Sequence, residues 1–472
     1  MQSWLQQQVA NNGEGIAIRY EGQSYTFSKV YDLVNKKIKK IHPIITNERR
    51  VGLIGKNSFD MYLTILTLWE LHREIVFLNF RLTKYELDYQ MKTSHLKVVI
   101  GDEEQGDKFN ASEFYSFSDV KQQVEEETIP LDWQLSKTEV ASIMFTSGTT
   151  GKPKGVIQTF SNHQANALAA EKNLLLTSKD EWLCVTPIIH VSGLSIICRS
   201  LLIGLTLHLM RQFDEEIVTE KLKNEPITVV SVVTLMLDRL MKVFPKEGYS
   251  DRFRFMLLGG GSVPVSLLHT CEKNHVSVVQ SFGMTETCSQ LIALSQKDAL
   301  KKIGSAGLPL LGVEIMIDSP NENGVGQILL KGPQVIQSYL EKANAWTEDG
   351  WFKTGDLGYL DDEGYLFIKS RMKELIISGG ENIYPAEIEA VFHEIKEVEA
   401  IAVVGKPHAK WGQVPVAYVE TKLKVPDLIK YGESRLAKYK LPNEWHLVEK
   451  LPRTTSGKIN KSQLMKEIEI NE

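Results

Sequence analysis

The residues best suited to chemistry lie in one short run, Thr146-Ser147-Gly148-Thr149-Thr150-Gly151-Lys152-Pro153-Lys154-Gly155. Its glycines let the backbone turn sharply and present N–H groups to an anion, while hydroxyls and two lysines add donors and charge. Placed after an apolar strand, such a run grips a polyphosphate. A Walker loop would need four residues between its first Gly and Gly-Lys, then Ser or Thr. Here two residues separate Gly148 from Gly151, and Pro153 follows Lys152, which disfavours a P-loop kinase or ATPase. A polar turn without a ligand is the plainer alternative. In a second polar turn, Thr285 can donate to a phosphate and Glu286 can hold Mg2+, which favours one or two carboxylates plus phosphate oxygens. Thr and Glu also suit helix N-termini, so a capping pair is the alternative there.

The elements that must position these groups alternate. Short β-branched runs (Arg50–Ile54, Lys97–Ile100, Val140–Phe145, Ile227–Val233, Phe253–Leu258) are separated by helical patterns such as Thr26–Ile41 and Phe59–Leu71. That alternation predicts α/β layers with largely parallel sheets. After about residue 300, glycine-rich turns separate short strands at Val313–Ile317, Gly326–Leu330, Gly358–Leu360 and Tyr365–Ile368, the pattern of a small antiparallel unit or barrel. A new unit begins near Ser370–Lys373 and carries a helix (Pro385–His393) and two strands (Val398–Val404, Val414–Glu420). The stretch from Arg435 to Lys461 holds seven Lys/Arg and two Glu, which reads either as a positive cap over anionic ligands or as a solvated helix face.

Bulk properties narrow the class. A chain of 472 residues suggests at least two domains. The composition, 43% hydrophobic and 24% charged, is that of a globular protein, and a net charge of −5 makes a nucleic-acid scaffold a poor first guess. Cys184, Cys198, Cys271 and Cys288 form no CxxC pair, which fits a reducing cytosol better than a zinc or disulfide framework. The start lacks a basic, apolar leader, and the apolar Gly193–Met210 stretch is interrupted by Arg199 and Gly204, so neither a signal peptide nor membrane insertion is expected. A cytoplasmic protein is expected; a homo-oligomer stays open.

Further motifs follow the phosphate loop in order. They are Leu257-Leu258-Gly259-Gly260-Gly261, Ser281-Phe282-Gly283-Met284-Thr285-Glu286-Thr287, Trp351-Phe352-Lys353-Thr354-Gly355-Asp356, Arg371-Met372-Lys373-Glu374 with Gly379-Gly380-Glu381-Asn382-Ile383-Tyr384-Pro385, and Pro452-Arg453-Thr454-Thr455-Ser456-Gly457-Lys458. Across nearly the whole chain the series resembles the acyl-adenylate-forming enzymes: acyl-CoA synthetases, luciferases and adenylation domains. The resemblance implies an α/β multidomain fold: a large N-terminal domain (1–370) of two stacked α/β subdomains plus a small β-barrel-like unit, a hinge at 371–373, and a mobile α+β C-terminal domain (374–472). It implies ATP, Mg2+ and coenzyme A as reaction partners of a carboxylic acid, without nucleic acid.

The same resemblance distributes roles. Thr146–Gly151 and Lys154 take the phosphates; Gly259–Gly261 offer adenine a side-chain-free floor, although the residues alone read equally as a strand-to-helix turn. Ser281–Thr285 line the nucleotide, Thr285 meets the α-phosphate and Glu286 the metal. Asp356, with Arg371 beside it, takes the ribose hydroxyls; local sequence alone favours an Asx turn there. Lys458, otherwise a solvated lysine, steadies the transition-state charge on the α-phosphate. Lys373 sits at the hinge, where relatives carry Asp, Lys or Ser. Gly379, Gly380 and Trp411 line the thiol channel, with core packing the rival for Trp411. Ser370 and Gln327 depart from the usual Gly/Asp and Glu without touching a proposed catalytic group.

Adenylation joins two anions, so positioning and charge neutralisation are the enzyme's main task and no covalent nucleophile is required. For the acid, the runs His190-Val191-Ser192-Gly193-Leu194-Ser195-Ile196 followed by Arg199-Ser200, and Phe282–Gln290, resemble the 2-succinylbenzoate:CoA ligases of menaquinone synthesis. That substrate keeps a second carboxylate, and a buried anion needs paired donors. The reading gives it to Arg199 with Ser192 and Ser289, while His190 flanks the reacting end. A structural salt bridge for Arg199 and a gate or packing role for His190 are the alternatives. A medium-chain or aryl acid within the same chemistry, or loading of a separate carrier protein, are rival functions; no carrier-type segment follows Lys458.

Overall fold

The computed structural model describes residues 2–470 except 111–112, 128, 130–133, 135, 147–152, 261–262, 342–344, 379–380, 409–410, 437 and 455–456. Four sheets organise the described chain. In the nine-stranded sheet, strands Val278–Met284, Phe255–Leu258, Val229–Val232, Glu181–Cys184, Thr206–Leu209 and Ile16–Tyr20 run parallel in that spatial order. Antiparallel strands complete its two sides, Gln23–Thr26 at one and Ser289–Ala293 followed by Leu308–Pro309 at the other. The expected strands at 227–233 and 253–258 are therefore present, each slightly shorter. Parallel strands are covered on both faces, which is why Val229–Val232 and Phe255–Leu258 are buried at every residue.

The six-stranded sheet is parallel except for its last pair, an antiparallel hairpin of Val140–Thr146 and Lys154–Thr159. The pairing runs up to Thr146 and Lys154, on either side of the glycine-rich run whose residues 147–152 lie outside the described ones. Helices pack between and against the sheets, and their starts are written locally. The Thr26 hydroxyl accepts from Lys29 N to cap Phe27–Ile45, Ser58 does the same through Met61 N for Phe59–Glu70, and Thr159 forms a capping box with Asn162 at Phe160–Leu174. One large core joins these layers, with Trp4, Trp69 and Phe160 packed edge to face at its heart.

The small antiparallel unit expected after residue 300 is an open four-stranded sheet, Glu314–Asp318, Gly326–Lys331, Phe352–Leu360 and Leu366–Arg371. Its two outer strands do not pair with each other, so a closed barrel is not formed. The outer edge of Leu366–Arg371 is instead met by Gly307, which bridges to Leu366. The last sheet holds Glu381–Ile383, Ile376–Ser378, Gly412–Thr421 and Val398–His408, with Glu444–Leu447 parallel to Gly412–Thr421. It builds its own core around Phe392, Ile401 and Val419. Between the third and last sheets lies only the short 3-10 turn Met372–Glu374 and Leu375.

Candidate active site

The C-terminal ends of two neighbouring parallel strands start the site. Strand Phe255–Leu258 delivers Gly259 and Gly260, and strand Val278–Met284 delivers Ser281, whose hydroxyl donates to Leu258 O at 3.0 Å. Crevices at such strand ends are where open α/β sheets bind ligands. Gly260 has φ 94°, a conformation that favours glycine. A Cβ there would sit 3.1 Å from Lys458 Cε and 3.6 Å from Lys458 Nζ. The C-terminal lysine thus crosses directly over the glycine floor.

Strand Val278–Met284 turns back at its end and returns, antiparallel, as Ser289–Ala293. Gly283 is obligatory at this tight return: a Cβ would lie 2.1 Å from Ser289 O. Thr285–Thr287 form a 3-10 turn at the tip. Glu286 is 8% exposed, and burial raises its carboxyl pKa. The Tyr339 hydroxyl donates to Glu286 Oε1 at 3.0 Å, and Ile336 N donates to Glu286 O at 2.9 Å. Tyr339 also bridges to Val156, so one segment ties strand Lys154–Thr159 to the Glu286 turn.

Asp356 lies in the middle of Phe352–Leu360, paired with Arg371, and not in an isolated turn. Arg371 Nε donates to Asp356 Oδ1 at 2.9 Å; Asp356 Oδ2 is buried without a hydrogen-bond partner. An orphaned buried oxygen at a site mouth invites a ligand hydroxyl. Burial raises the Asp356 pKa, with Arg371 and Lys458 opposing that rise. Lys458 lies exposed in the cleft; desolvation and then the Arg371 charge lower its pKa, which Asp356 raises. The pKa of His190 falls to about 4 through burial, then through Lys458 and Arg81, so its imidazole is neutral at pH 7. Electrostatic interactions thus link His190, Glu286, Asp356, Arg371 and Lys458.

Helix Val191–Ile203 begins with His190 as its N-cap residue and carries Arg199 two turns on. Arg199 is 1% exposed, lies 5.0 Å over the Trp182 ring and donates to Asn166 Oδ1 at 3.1 Å and to Ser289 Oγ at 3.5 Å. Among the described residues no carboxylate pairs with it, and its Nε has no partner. The structural salt bridge considered from sequence is therefore not formed. Desolvation pushes its pKa down to about 10, which leaves it cationic at neutral pH. Ser195, missed as a site residue, has its hydroxyl 3.3 Å from both Ser289 Oγ and Ser192 O, with one proton to share between them, so Ser192 joins the group through its backbone.

Thr146 and Lys154 bracket the phosphate loop, with the Lys154 ammonium 5.7 Å from the Tyr339 ring centroid. Ser147, Gly148, Thr149, Thr150, Gly151, Gly261, Gly379 and Gly380 lie outside the described residues, as does the Lys373 side chain. Phe282 and Met284 pack against the four-stranded sheet's core. Trp411 is 45% exposed beside the strand pairing of Ser378 with Gly412, which removes core packing as its role. No group of three or more His, Cys, Asp or Glu that could hold a metal occurs among the described residues. One carboxylate with an oriented oxygen suits a magnesium ion that arrives with phosphates, not one in a protein cage.

Residues 5–340 match the family model described as AMP-binding enzyme, and residues 387–458 match its C-terminal domain model. A 2-succinylbenzoate–CoA ligase of Enterococcus faecalis is 44% identical over 98% of both chains. The o-succinylbenzoate CoA synthetase of Bacillus subtilis, 35% identical, superimposes with a TM-score of 0.92 in its acyl-adenylate complex, over 98% of both chains. Its complex with ATP and magnesium gives the same score over 99% of both chains. These matches, over most of the length, show that the chain belongs to the AMP-binding enzyme family.

Proposed function

We propose that this chain is an ATP-dependent acid–CoA ligase that converts 2-succinylbenzoate to 2-succinylbenzoyl-CoA, a step of menaquinone biosynthesis. It first forms acyl-adenylate and pyrophosphate, then thioester and AMP. The relatives' shared activity and full-length similarity support the reaction. The observation that carries the choice of acid is Arg199, a buried cation with no carboxylate partner among the described residues. Leaving a buried charge unpaired is costly, so the site is completed by an anion from outside. A monocarboxylic fatty acid would leave it unpaired.

In the first step the residues neutralise and align. Thr146, Lys154 and the glycine loop hold the phosphates, and Gly259 and Gly260 take the purine. Asp356 Oδ2 accepts from a ribose hydroxyl while Arg371 fixes its partner oxygen. Glu286 would hold magnesium, which when bound offsets phosphate charge. The Thr285 hydroxyl and the Lys458 ammonium donate to the α-phosphate as charge develops there, the kind of preorganised donation that lowers barriers by several kcal/mol. Neutral His190 at the helix start flanks the reacting carboxylate without competing with it for a proton. Two turns further along the same helix, Arg199, together with Ser289, holds the second carboxylate.

The second step needs a thiol where Lys458 stands, so the lysine must leave. A hinge at 371–373, between an N-terminal domain (1–370) and a C-terminal domain (374–472), meets that need, and the brief connection at Met372–Glu374 supports it. Exposed Trp411 and the glycines 379–380 would then border the pantetheine path. Among the described residues no helix is long and apolar enough to cross a membrane. Four buried free cysteines support a cytoplasmic location.

The test is ATP–pyrophosphate exchange and CoA thioester formation with 2-succinylbenzoate, benzoate and hexanoate. Strong preference for 2-succinylbenzoate is expected. Equal rates with hexanoate would remove the reading of the acid; thioester only on a carrier protein, never on free CoA, would remove the ligase.

A further inference from the structure

One flank of helix Phe160–Leu174 and the strand before it bears amide side chains that grip backbone carbonyls of the catalytic segments. Gln158 Nε2 donates to Thr285 O at 2.7 Å, and Asn162 Nδ2 to Pro333 O at 2.8 Å. Asn166 Nδ2 donates to Gln290 O at 2.6 Å and Thr287 O at 3.3 Å, and Asn173 Nδ2 to Leu294 O at 3.2 Å. Asn166 is 1% exposed and does something more: its Oδ1 accepts from Arg199 Nη2 at 3.1 Å.

The two carbonyls that Asn166 holds flank Cys288 and Ser289, whose φ values of 54° and 108° lie in the left-handed region. Such conformations persist only where surroundings over-determine them. Ser289 is also the residue whose hydroxyl meets Arg199 and Ser195. The amide cannot turn over, because that would set its N–H groups against the guanidinium and its oxygen against two carbonyls.

We propose that Asn166 is a positioning residue for acid recognition, locking Arg199 to the turn that carries Thr285 and Glu286. Docking of the acid's second carboxylate and alignment of the nucleotide-binding turn are thereby one event. The proposal rests on the reading that Arg199 takes that carboxylate. The chemistry of the side chain explains its type. An aspartate of equal size would pair with Arg199 and cancel the charge the acid needs, while presenting a carboxylate to two carbonyls. An amide orients the cation and leaves its charge available.

The experiment compares 2-succinylbenzoate with 4-oxo-4-phenylbutanoate, which has the same reacting end but no ring carboxylate, by ATP–pyrophosphate exchange. The ratio of the two kcat/KM values is read within one preparation, so it does not depend on how much protein folds. Asn166→Asp and Asn166→Ala should each lower the ratio at least about tenfold, the usual effect of disturbing a hydrogen bond to a charged group. Arg199→Met should lower it as well, and the Asn166→Asp, Arg199→Met pair should lower it no further than Arg199→Met alone. A wild-type ratio in Asn166→Asp, or losses that multiply in the pair, overturns the relay while leaving Arg199 its role. A wild-type ratio in Arg199→Met overturns the reading of Arg199 itself, and the relay with it.

Discussion

The Tyr339 hydroxyl donates to Glu286 Oε1 at 3.0 Å while the Lys154 ammonium lies 5.7 Å from the same ring's centroid. A single aromatic side chain therefore meets both the Glu286 carboxylate, proposed to hold magnesium, and the Lys154 ammonium. Removing its hydroxyl in Tyr339→Phe leaves the Glu286 carboxylate free to rotate. The magnesium concentration for half-maximal pyrophosphate exchange should rise about tenfold, the worth of one hydrogen bond to a charged group. An unchanged magnesium titration would show that the hydroxyl does not orient Glu286.

Lys458 stands over Gly260 beside Asp356 and Arg371. Lys458→Ala should slow acyl-adenylate formation by about 100-fold or more, as loss of one oxyanion donor does. Thioester formation from supplied acyl-adenylate should change little. Single-turnover measurement of both half-reactions decides this; undiminished adenylation would remove the lysine from the mechanism.

Gly283 has Ser289 O only 2.1 Å from where a Cβ would be. Gly283→Ala forces the strands Val278–Met284 and Ser289–Ala293 apart, at a cost of about 1–3 kcal/mol for overpacking. Activity should fall further than the melting temperature suggests, because the displaced turn carries Thr285 and Glu286. Retention of full activity would show that the hairpin tolerates the separation.

Glu70 is buried against Ser3 and Trp69, and burial raises its pKa from 4.5 to about 7, with the Ser3 hydroxyl and His72 opposing. The folded state thus favours the protonated acid. Its contribution to stability is complete below the unfolded pKa of 4.5 and is lost as pH rises through about 7. Glu70→Gln should be near neutral at pH 4.5 and more stable than the parent by about 3 kcal/mol at pH 8. Urea titrations across that range should show the gap open with pH; a gap independent of pH would place the carboxyl's titration elsewhere.

Much of this arrangement is legible in local sequence because its causes are local. The phosphate loop, the capped helices and the alternating strands follow from glycine, hydroxyl and β-branched spacing. Asp356 is not, since Thr-Gly-Asp reads as a turn until its partner Arg371 arrives across an antiparallel ladder. The return of Val278–Met284 on Ser289–Ala293 was hidden because Gly283 interrupts the alternation at the place where pairing is closest. Arg199 stayed balanced between two readings because what decides it is an absent carboxylate, together with Asn166 at 33 residues' remove and Ser289 at 90. A signal for the missed amides did exist. Gln158, Asn162 and Asn166 recur every four residues in a segment that also buries Phe160, Ala167 and Ala170, and buried amides must find partners.

Gly260 also sets a limit on clearance. A Cβ at residue 260 would sit 3.1 Å from the Lys458 stem, so the missing side chain is what lets that stem pass so near without giving way by a few tenths of an ångström. An added carbon there would nudge the ammonium aside while leaving every charged group intact.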